Sequence, residues 1–421
     1  MIIAIIGSGG REHAICQKIS ESTRVEQIYC IPGNAGTSEI AKNVDIDLEN
    51  FDQIKKFLKE SNVDLVIIGP EKPLVEGIVD FLENENFKVF GPNKKSSQLE
   101  GSKIFTKKIC EKYNIPTAKF GIFSEFEKVI QFLNSTTFPI VVKADGLASG
   151  KGVYICENKL HATNAVKEIF NGKFGKTKEV LVEEFLNGDE MSFFIISDGK
   201  NFKKFQTAQD HKRILEGDKG KNTGGMGAYC PSGLINYELE SKILNKIIKP
   251  TLKAINDLGE NYKGFLYAGL MIIKNEPYLI EYNVRMGDPE CQTILPLLKT
   301  DFLEIIESCC YNKLDNIKIE WENKKSLCIV LSSKGYPDTF NKNVKIYNLK
   351  NLKLTNNDFI FHAGTKKVNK EIFSIGGRVL NFVSISSNYK NCRERVLELI
   401  NCLDWSNGYF RKDIGYKVIK K

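Results

Sequence analysis

Residues 278 to 290 read Tyr278-Leu279-Ile280-Glu281-Tyr282-Asn283-Val284-Arg285-Met286-Gly287-Asp288-Pro289-Glu290. The first half is an apolar strand pattern, and alternate residues of a strand face the same side, so we expect Glu281, Asn283 and Arg285 to project together. Mg²⁺ takes one or two protein oxygens and completes its shell with water and phosphates, which suits a Glu-x-Asn pair. An edge strand with a solvated polar face, followed by a Gly-Asp-Pro turn, would have the same sequence pattern. The choice between the two interpretations therefore depends on the rest of the chain.

The composition is that of a multidomain globular protein. A chain of 421 residues is too long for a single core and predicts about three domains of roughly 100–200 residues each. Lys residues spread through every region produce the net charge of +8, which argues against a localised nucleic-acid-binding surface. The 11 cysteines include no C-x-x-C pair, which is typical of free thiols in a reducing compartment. No segment approaches about 18 uninterrupted apolar residues, so we expect a cytoplasmic protein without a membrane segment.

The first 100 residues alternate apolar strands with polar helices, which predicts a parallel sheet. The expected strands are Ile2–Ile6, Gln27–Ile31, Leu65–Ile68 and Lys88–Phe90. A glycine-rich loop follows the first strand, but a dinucleotide-binding fingerprint would need a third glycine where Glu12 stands. We therefore interpret this loop as an anion site at a helix N-terminus and not as a nicotinamide site. The loops Pro32–Thr37 and Gly69–Leu74 follow the next two strands and should share one crevice with it, where Glu71 suits a sugar hydroxyl or an amine.

A second glycine-rich loop, from Ala144 to Val153, follows the predicted strand Phe138–Lys143. Its three glycines and Lys151 could cover a polyphosphate. The loop is not a Walker A motif, because that motif carries Ser or Thr after its lysine and here a glycine follows. Since the loop lacks a hydroxyl ligand for a metal ion, Glu281 and Asn283 could supply the ligands instead. His211, between Asp210 and Lys212, is expected to be a structural hydrogen-bonding residue.

Seven segments taken together resemble the phosphoribosylamine–glycine ligase family of the ATP-grasp superfamily. These segments are Gly7–His13, Pro32–Gly36, Gly69–Leu74, Lys143–Val153, Gln209–Arg213, Asn222–Ala228 and Arg285–Gln292. The chain departs from the family pattern at Met286, where Phe is usual. It also has no acid near Met271, where many ATP-grasp enzymes carry a second metal-binding carboxylate.

The resemblance implies a multidomain α/β and α+β fold. A Rossmann-like N domain with a parallel sheet would span 1–100, and an ATP-grasp core of two α+β subdomains would span 101–325, with a lid at about 120–190. A small mixed α/β C-terminal domain would span 326–421. The implied reaction joins glycine to 5-phosphoribosylamine through a glycyl phosphate and gives glycinamide ribonucleotide, ADP and phosphate in purine biosynthesis. The implied cofactor is Mg²⁺ or Mn²⁺, with ATP as co-substrate. The implied partners are the small molecules ATP, glycine and 5-phosphoribosylamine, and the implied enzyme is a monomer.

The resemblance also implies roles for individual residues. Catalysis is assigned to Arg285, Lys143, Gly150 and Lys151, and metal binding to Glu281 and Asn283. The residues expected to contact ATP are Lys103, Lys143, Gly146, Ser149, Gly150, Gly152, Glu183, Glu184, Phe185, Leu186 and Glu190. Among them, Lys103 and Lys143 should contact the phosphates, the segment Glu183–Leu186 should meet adenine through its backbone, and Glu190 should meet the ribose. The residues expected to contact the other substrates are Gly9, Gly10, Arg11, Pro32, Gly33, Asn34, Gly36, Glu71, Asp210, Lys212, Arg213, Arg285, Asp288 and Glu290.

Several other functions are compatible with parts of the sequence. Another carboxylate–amine ligase or a biotin-dependent carboxylase subunit would share the ATP-grasp core without the phosphoribosyl-binding loops. A non-catalytic nucleotide sensor would bind ATP without consuming it. A dehydrogenase is disfavoured by Glu12.

Overall fold

A five-stranded sheet organises the N-terminal region of the computed structural model, which describes residues 1–147, 152–175 and 179–419. In spatial order the strands are Lys42–Asn43, Gln27–Pro32, Ile2–Gly7, Leu65–Ile68 and Val89–Phe90. Every pair is parallel, which confirms the expected sheet. The intervening helices are Gly10–Ser20, Phe51–Glu60, Glu71–Glu76 and Ile78–Asn84.

Both faces of this sheet are buried, as its continuous apolar strands require. Ile3 and Ile5 pack into one hydrophobic core with the helix Gly10–Ser20, whereas Ala4 and Ile6 pack into the other. The carboxyl ends of the parallel strands therefore lie along one edge, and their loops line a common crevice. The helices Gln98–Gly101 and Lys103–Lys112 then lead the chain out of the sheet.

An antiparallel sheet with its own core follows, in the region expected to be the lid. Its strands, in spatial order, are Phe120–Phe123, Val180–Glu184, Ile140–Ala144 and Val153–Cys156. The helices Phe126–Leu133 and Lys159–Phe170 cover it. Small and β-branched side chains fill the space between them, including Val129, Val142, Val166 and Val182.

A second antiparallel sheet carries residues 276–283. Its order is Phe202–Lys204, Asp189–Asp198, Lys263–Ile273 and Glu276–Asn283. The helical segments Tyr237–Ile243, Leu244–Ile248 and Lys249–Asp257 contribute Ile243, Ile247 and Ile248 to its core, as their helical spacing predicts. The helices Glu290–Ile294 and Phe302–Cys310 follow the last strand.

The C-terminal region is built around a third sheet, to which the middle of the chain also contributes. Its order is Gln209–Asp210, Gly227–Cys230, Lys325–Ser333, Arg378–Ser386 and Asp358–His362, with Gly408–Tyr409 paired to Lys325–Ser333. The smaller elements are the strands Val344–Ile346, Glu371–Ser374, Thr365–Val368, Arg213–Leu215 and Lys219–Asn222, and the helices Tyr389–Asn401 and Tyr416–Ile419. The strands Gln209–Asp210 and Gly227–Cys230 thus belong to the same sheet as strands of the predicted C-terminal domain, 326–421. Among the described residues, no helix combines the length and apolar character needed to span a bilayer.

Candidate active site

The strand Glu276–Asn283 brings two oxygen-bearing side chains to one face. Glu281 pairs with Gly269 and Asn283 pairs with Tyr267, while Tyr282 between them is buried in the core. A Cβ atom added at Gly269 would lie 3.4 Å from the Glu281 side chain. The residue opposite Glu281 is therefore Gly269 and not Met271, which pairs with Tyr278. The cross-strand neighbour of Glu281 therefore contributes no side chain.

Positive charges surround Glu281. Burial favours a higher pKa for this carboxyl, but Lys212, Lys143 and Lys103 together hold its pKa below the usual range. Lys212 Nζ lies 3.0 Å from a Glu190 oxygen and 3.9 Å from Glu281. Lys212, expected beside the sugar amine, thus bridges the predicted ribose-binding carboxylate and the predicted metal-binding carboxylate.

Glu183 binds two lysines with its two carboxylate oxygens. Lys143 Nζ lies 2.6 Å from Oε2, and Lys107 Nζ lies 2.9 Å from Oε1. All three side chains are at most 5% exposed. Although burial would raise the pKa of Glu183, the two ammonium groups lower it, so the carboxylate stays ionised. Glu183 was expected to meet adenine through its backbone; its side chain fixes the predicted phosphate-binding lysine.

Sequence reasoning missed Lys107, although a signal exists. Lys107 stands three residues after Ile104 and three before Cys110, both of which are buried on the same helix. A lysine in phase with a buried helical face needs a charged partner. Its ammonium also donates to the hydroxyl of Thr117, which in turn donates to the backbone oxygen of Leu279 at 2.6 Å.

The start of the second glycine loop is attached to the helix Lys103–Lys112. Asp145 accepts hydrogen bonds from the hydroxyl of Ser102 and the N–H of Ile104, and Lys103 Nζ donates to the Gly146 carbonyl at 2.9 Å. Gly146 adopts a φ of +90°, which favours glycine. Gly152 closes the base of the loop by accepting from the Ala144 N–H. The predicted residues Ser149, Gly150 and Lys151 lie outside the described residues.

The rest of the predicted nucleotide surface is more open. Glu184 is exposed and accepts the Lys119 N–H at 2.9 Å. Phe185 is 37% exposed, and Leu186 lies beside it on the way to Glu190. Exposed apolar groups next to a strand edge are compatible with a stacking aromatic ligand.

Glu12 occupies the space that a third glycine would leave in the N-terminal loop. Its carboxylate accepts the Gly9 N–H at 2.6 Å and the Arg11 Nε at 2.7 Å. A Cβ atom at Gly7, Gly9 or Gly69 would collide with the Glu12 side chain. The chain's own carboxylate thus uses one N–H group of this loop, and the interpretation of the loop as an anion site stays a prediction for its other N–H groups.

Two polar side chains surround Gly10. A Cβ atom there would lie 2.3 Å from Asn381 and 2.5 Å from Gln292. The Arg11 N–H is 3.4 Å from the Asp288 carboxylate, so the helix N-terminus faces a second acidic group of the chain. This region therefore joins the N-terminal sheet to residues 288–292 and to the C-terminal sheet.

Five alternating charges run from this loop to the end of the strand Glu276–Asn283. Arg11 contacts Glu12 at 2.7 Å and Glu71 at 3.8 Å. Arg285 contacts Glu71 at 3.3 Å and Glu100 at 2.7 Å. Burial favours a higher pKa for Glu71, but Arg285 and Arg11 lower that pKa to about 2. We name these five residues the Arg–Glu chain; Glu100 is its one member that sequence reasoning did not single out.

The loop Pro32–Thr37 is held by Asn34. Its side-chain oxygen accepts the N–H groups of Gly36 and Thr37, and its amide nitrogen donates to the carbonyls of Ser8 and His362, both at 2.8 Å. Asn34 is 6% exposed, so its predicted substrate contact would require its present partners to be released.

The remaining loop residues lie around a surface cleft or inside packing contacts. Pro32 lines a cleft together with Asp47, Glu49 and Lys72. Gly33, at a φ of +75°, packs on Asn43. Gly36 packs on His13, since a Cβ atom there would lie 2.2 Å from that ring.

Asp288 and Glu290 are held by residues from one helix and two different sheets. Asp288 accepts from Gln292 Nε2 at 2.7 Å and lies 3.3 Å from Arg378, a residue that sequence reasoning did not assign to the site. Glu290 accepts from the Ser192 hydroxyl at 2.9 Å. Burial and the neighbouring charge of Glu290 raise the pKa of Asp210 well above its usual range. The raised pKa favours the protonated form of Asp210, and such a carboxyl group can exchange a proton with a bound amine.

His211 and Arg213 have partners within their own region. His211 Nδ1 lies 3.2 Å from Asp218, and Nε2 accepts the Gly415 N–H at 3.1 Å, which confirms the structural interpretation of this residue. Arg213 donates to the Gly220 carbonyl at 2.7 Å across its hairpin. Arg213 was predicted to bind substrate, and its described hydrogen bond serves the hairpin.

Comparison with known proteins shows the family of the chain. Models of the phosphoribosylglycinamide synthetase family match the N domain at residues 1–100, the ATP-grasp (A) domain at 101–291 and the C domain at 326–417. The phosphoribosylamine–glycine ligase of Caldanaerobacter subterraneus subsp. tengcongensis is 45% identical over 417 residues, 99% of both chains. That of Brucella melitensis is 41% identical over 422 residues, covering 100% of this chain and 99% of the relative.

Solved structures show the same likeness. The crystal structure of phosphoribosylamine–glycine ligase from Thermotoga maritima aligns with a TM-score of 0.86 at 32% identity, covering 99% of this chain and 100% of that chain. A biotin carboxylase domain of 2-oxoglutarate carboxylase from Hydrogenobacter thermophilus aligns with a TM-score of 0.73 at 15% identity, over 97% of this chain and 91% of that chain. At that identity the second likeness concerns the fold alone.

Proposed function

The chain belongs to the phosphoribosylglycinamide synthetase family of ATP-grasp enzymes, and from that premise we propose that it ligates glycine to 5-phosphoribosylamine. The reaction consumes ATP, passes through glycyl phosphate, and yields glycinamide ribonucleotide, ADP and phosphate in de novo purine biosynthesis. The observation that carries the proposal is the position of Glu71 between Arg11 and Arg285, since it makes the N-terminal crevice and the ATP-grasp strand one continuous site.

The chemistry of the reaction requires charged groups both in the N-terminal crevice and at the ATP-grasp strand. A carboxylate is a poor acyl donor, so glycine is first phosphorylated, and the sugar amine then displaces phosphate from the acyl phosphate. The protein's contribution is in-line positioning and neutralisation of phosphate charge. Exclusion of water protects the acyl phosphate from hydrolysis.

ATP would lie between the antiparallel sheet of the lid region and the antiparallel sheet that carries residues 276–283. Lys103 and Lys143 neutralise its phosphates, while Gly146 and Gly152 belong to a loop that covers them. The segment from Glu183 to Leu186 meets adenine and Glu190 the ribose. Support comes from the burial of Lys143 against Glu183, which fixes the ammonium, and from the open surface at Phe185.

Glu281 and Asn283 fit a hard divalent cation. Both present oxygen atoms on one strand face, the surrounding lysines favour the ionised form of Glu281, and the cross-strand neighbour of Glu281 is a glycine without a side chain. ATP-grasp enzymes use ATP with a divalent metal, and we propose Mg²⁺ or Mn²⁺ here. When bound, the cation would neutralise and orient the phosphates of ATP.

The acceptor amine would lie near residues 288–290. Glu71 and the N-terminal loops face the phosphoribosyl group, and Asp288 and Glu290 face the amine, with Asp210 and Glu290 able to hold its proton. Arg285 stabilises the transferring phosphoryl group or the glycine carboxylate. We further propose that the enzyme is a monomer and is cytoplasmic, and the free thiols support the cytoplasmic location.

A coupled assay of ADP release tests the function. ADP should form only when ATP, glycine and phosphoribosylamine are all present, and glycinamide ribonucleotide should appear in equal amount. Release that ignores either omission would contradict the proposal, and nucleotide binding without any turnover would favour a sensor. Bicarbonate-dependent turnover with biotin would instead favour a carboxylase.

A further inference from the structure

Glu100 lies at the junction between two parts of the proposed site. It belongs to the short helix Gln98–Gly101, which directly precedes the helix that begins at Lys103. Its side chain is 7% exposed. One oxygen accepts the Val284 N–H at 2.8 Å, and the other accepts from Arg285 Nη2 at 2.7 Å. A single carboxylate therefore holds both the backbone and the guanidinium of the segment that follows Asn283.

The two carboxylates beside Arg285, those of Glu71 and Glu100, differ in exposure and in the partners that they bind. Glu71 is 29% exposed and is shared with Arg11, and its nearest contact to Arg285 is 3.3 Å. Glu100 is buried and makes the shorter contact, and its other oxygen is already used by the backbone. A substrate that competes for Glu71 would leave Arg285 with Glu100 and with its hydrogen bond to the Met286 carbonyl at 3.3 Å.

We propose that Glu100 is a positioning residue for the ligation, which fixes Arg285 while Glu71 exchanges partners with the substrate. It also ties the segment that carries Lys103 to the strand end that carries Asn283. The inference rests on the proposed function, because it acts through Arg285. A guanidinium is planar and its donors have fixed directions, so its orientation depends on the carboxylate that it meets.

A double-mutant cycle on turnover tests this role. Glu100→Gln keeps the shape but replaces one acceptor oxygen with an amide nitrogen, so the side chain can accept from Val284 or from Arg285 but not from both. We expect kcat to fall roughly 10- to 100-fold, as misplacement of a catalytic group does, with the KM for ATP within about threefold. In an Arg285→Lys background, which keeps a cation, the same substitution should change kcat by less than about threefold, because the group it positions is already altered.

Controls separate positioning from folding. Asp358→Asn is the matched variant, since Asp358 is a buried carboxylate that accepts a backbone N–H from Thr355 at 2.9 Å and pairs with Arg395 at 3.0 Å in the C-terminal sheet. It should lower the unfolding temperature and leave kcat unchanged. If Glu100→Gln does not fold, Glu100→Asp provides the same cycle, because it keeps the charge but is one methylene too short to reach both partners.

The outcomes are distinct. An equal loss of kcat in both backgrounds, or no loss in the wild-type background, overturns the positioning role of Glu100. A wild-type enzyme that releases ADP without requiring glycine and phosphoribosylamine overturns the proposed function instead.

Discussion

Arg11 and Arg285 donate to the same acceptor, the carbonyl oxygen of Met286, at 3.1 and 3.3 Å. Two buried guanidinium groups this close repel each other unless carboxylates lie between and beside them. Glu71 lies between them, Glu12 lies beside Arg11, and Glu100 lies beside Arg285. This arrangement brings the N-terminal crevice and the ATP-grasp strand into one electrostatic unit.

Glu71→Gln should therefore impair use of the sugar amine more than use of ATP. The pKa of about 2 means that Glu71 is ionised at every working pH, so the amide removes a full negative charge between two arginines. We expect kcat/KM for phosphoribosylamine to fall about 10- to 100-fold, equivalent to roughly 1.4–3 kcal/mol of transition-state stabilisation, with little change in the KM for ATP.

Steady-state kinetics with each substrate varied in turn measures this difference. Glu76→Gln, at the end of the same helix, is the control, because Glu76 is exposed and forms an ion pair with Lys72. Equal losses for ATP and phosphoribosylamine would remove Glu71 from the sugar-amine site.

Glu281→Gln and Asn283→Ala should each lower turnover and raise the concentration of Mg²⁺ needed for half-maximal rate. Each substitution weakens or removes an oxygen ligand of the metal site that we propose. Titrations of ADP release with Mg²⁺ and with Mn²⁺ measure the change. Glu276→Gln is the control on the same strand, since Glu276 pairs with Lys242 and Lys246. An unchanged metal requirement in both site variants would exclude these two residues as ligands.

Lys107→Met should weaken ATP use although Lys107 was not assigned to the nucleotide. It leaves Glu183 with Lys143 alone and frees the Thr117 hydroxyl that connects to Leu279, so the predicted phosphate-binding lysine loses its fixed position. We expect the KM for ATP to rise several-fold and the free energy of unfolding to fall by on the order of 3 kcal/mol, as when one partner of a buried ion pair is removed.

Nucleotide titration and denaturant unfolding test this prediction. Lys108→Met, on the exposed side of the same helix, should change neither quantity. An unchanged KM for ATP would mean that Lys107 supports folding only.

Features that depend on neighbouring residues could be predicted from the sequence, whereas contacts between distant residues could not. Strands such as Leu65–Ile68 and the shared face of Glu281 and Asn283 follow from residue patterns within a few positions, and the structure has them where expected. Glu100 and Arg285 are 185 residues apart, so no local pattern pairs them. The same holds for Arg378, which reaches Asp288 from another sheet.

Glu12 shows a different limit of sequence reasoning. The absence of a glycine at this position argued against a dinucleotide. The positive role of Glu12, which accepts from Gly9 and Arg11, depends on how the loop closes around its side chain. Likewise, the sequence separated the middle and last domains at about residue 325, whereas Gly227–Cys230 pairs with Lys325–Ser333 across that boundary. Strand pairing over long separations is set by tertiary packing and leaves no periodicity in the sequence.

The pH dependence of turnover should depend on Glu100. Burial, together with the charge of Glu71, raises its pKa to about 7 against the opposing effect of Arg285 and Arg11. The ionised carboxylate binds Arg285 much more strongly than the neutral carboxyl group does, so kcat should fall as the pH drops below about 7. Buried histidines do not account for this limb, because burial lowers the pKa values of His13 and His362 to about 3 and about 4 and lowers that of His211 as well.

Raising the pH should affect protein stability and kcat in opposite directions. Between the unfolded pKa of 4.5 and the folded pKa of about 7, the folded protein holds a proton on Glu100 that the unfolded chain has released, so this group's contribution to stability decreases as the pH rises. Glu100→Gln should remove both dependences and leave a slow, flatter profile of kcat. Profiles of kcat and of the unfolding temperature across the neutral range, for the wild type, Glu100→Gln and Asp358→Asn, measure these changes. An acid limb of the same midpoint in the Glu100→Gln profile would assign the limb to a substrate or another residue and contradict this prediction.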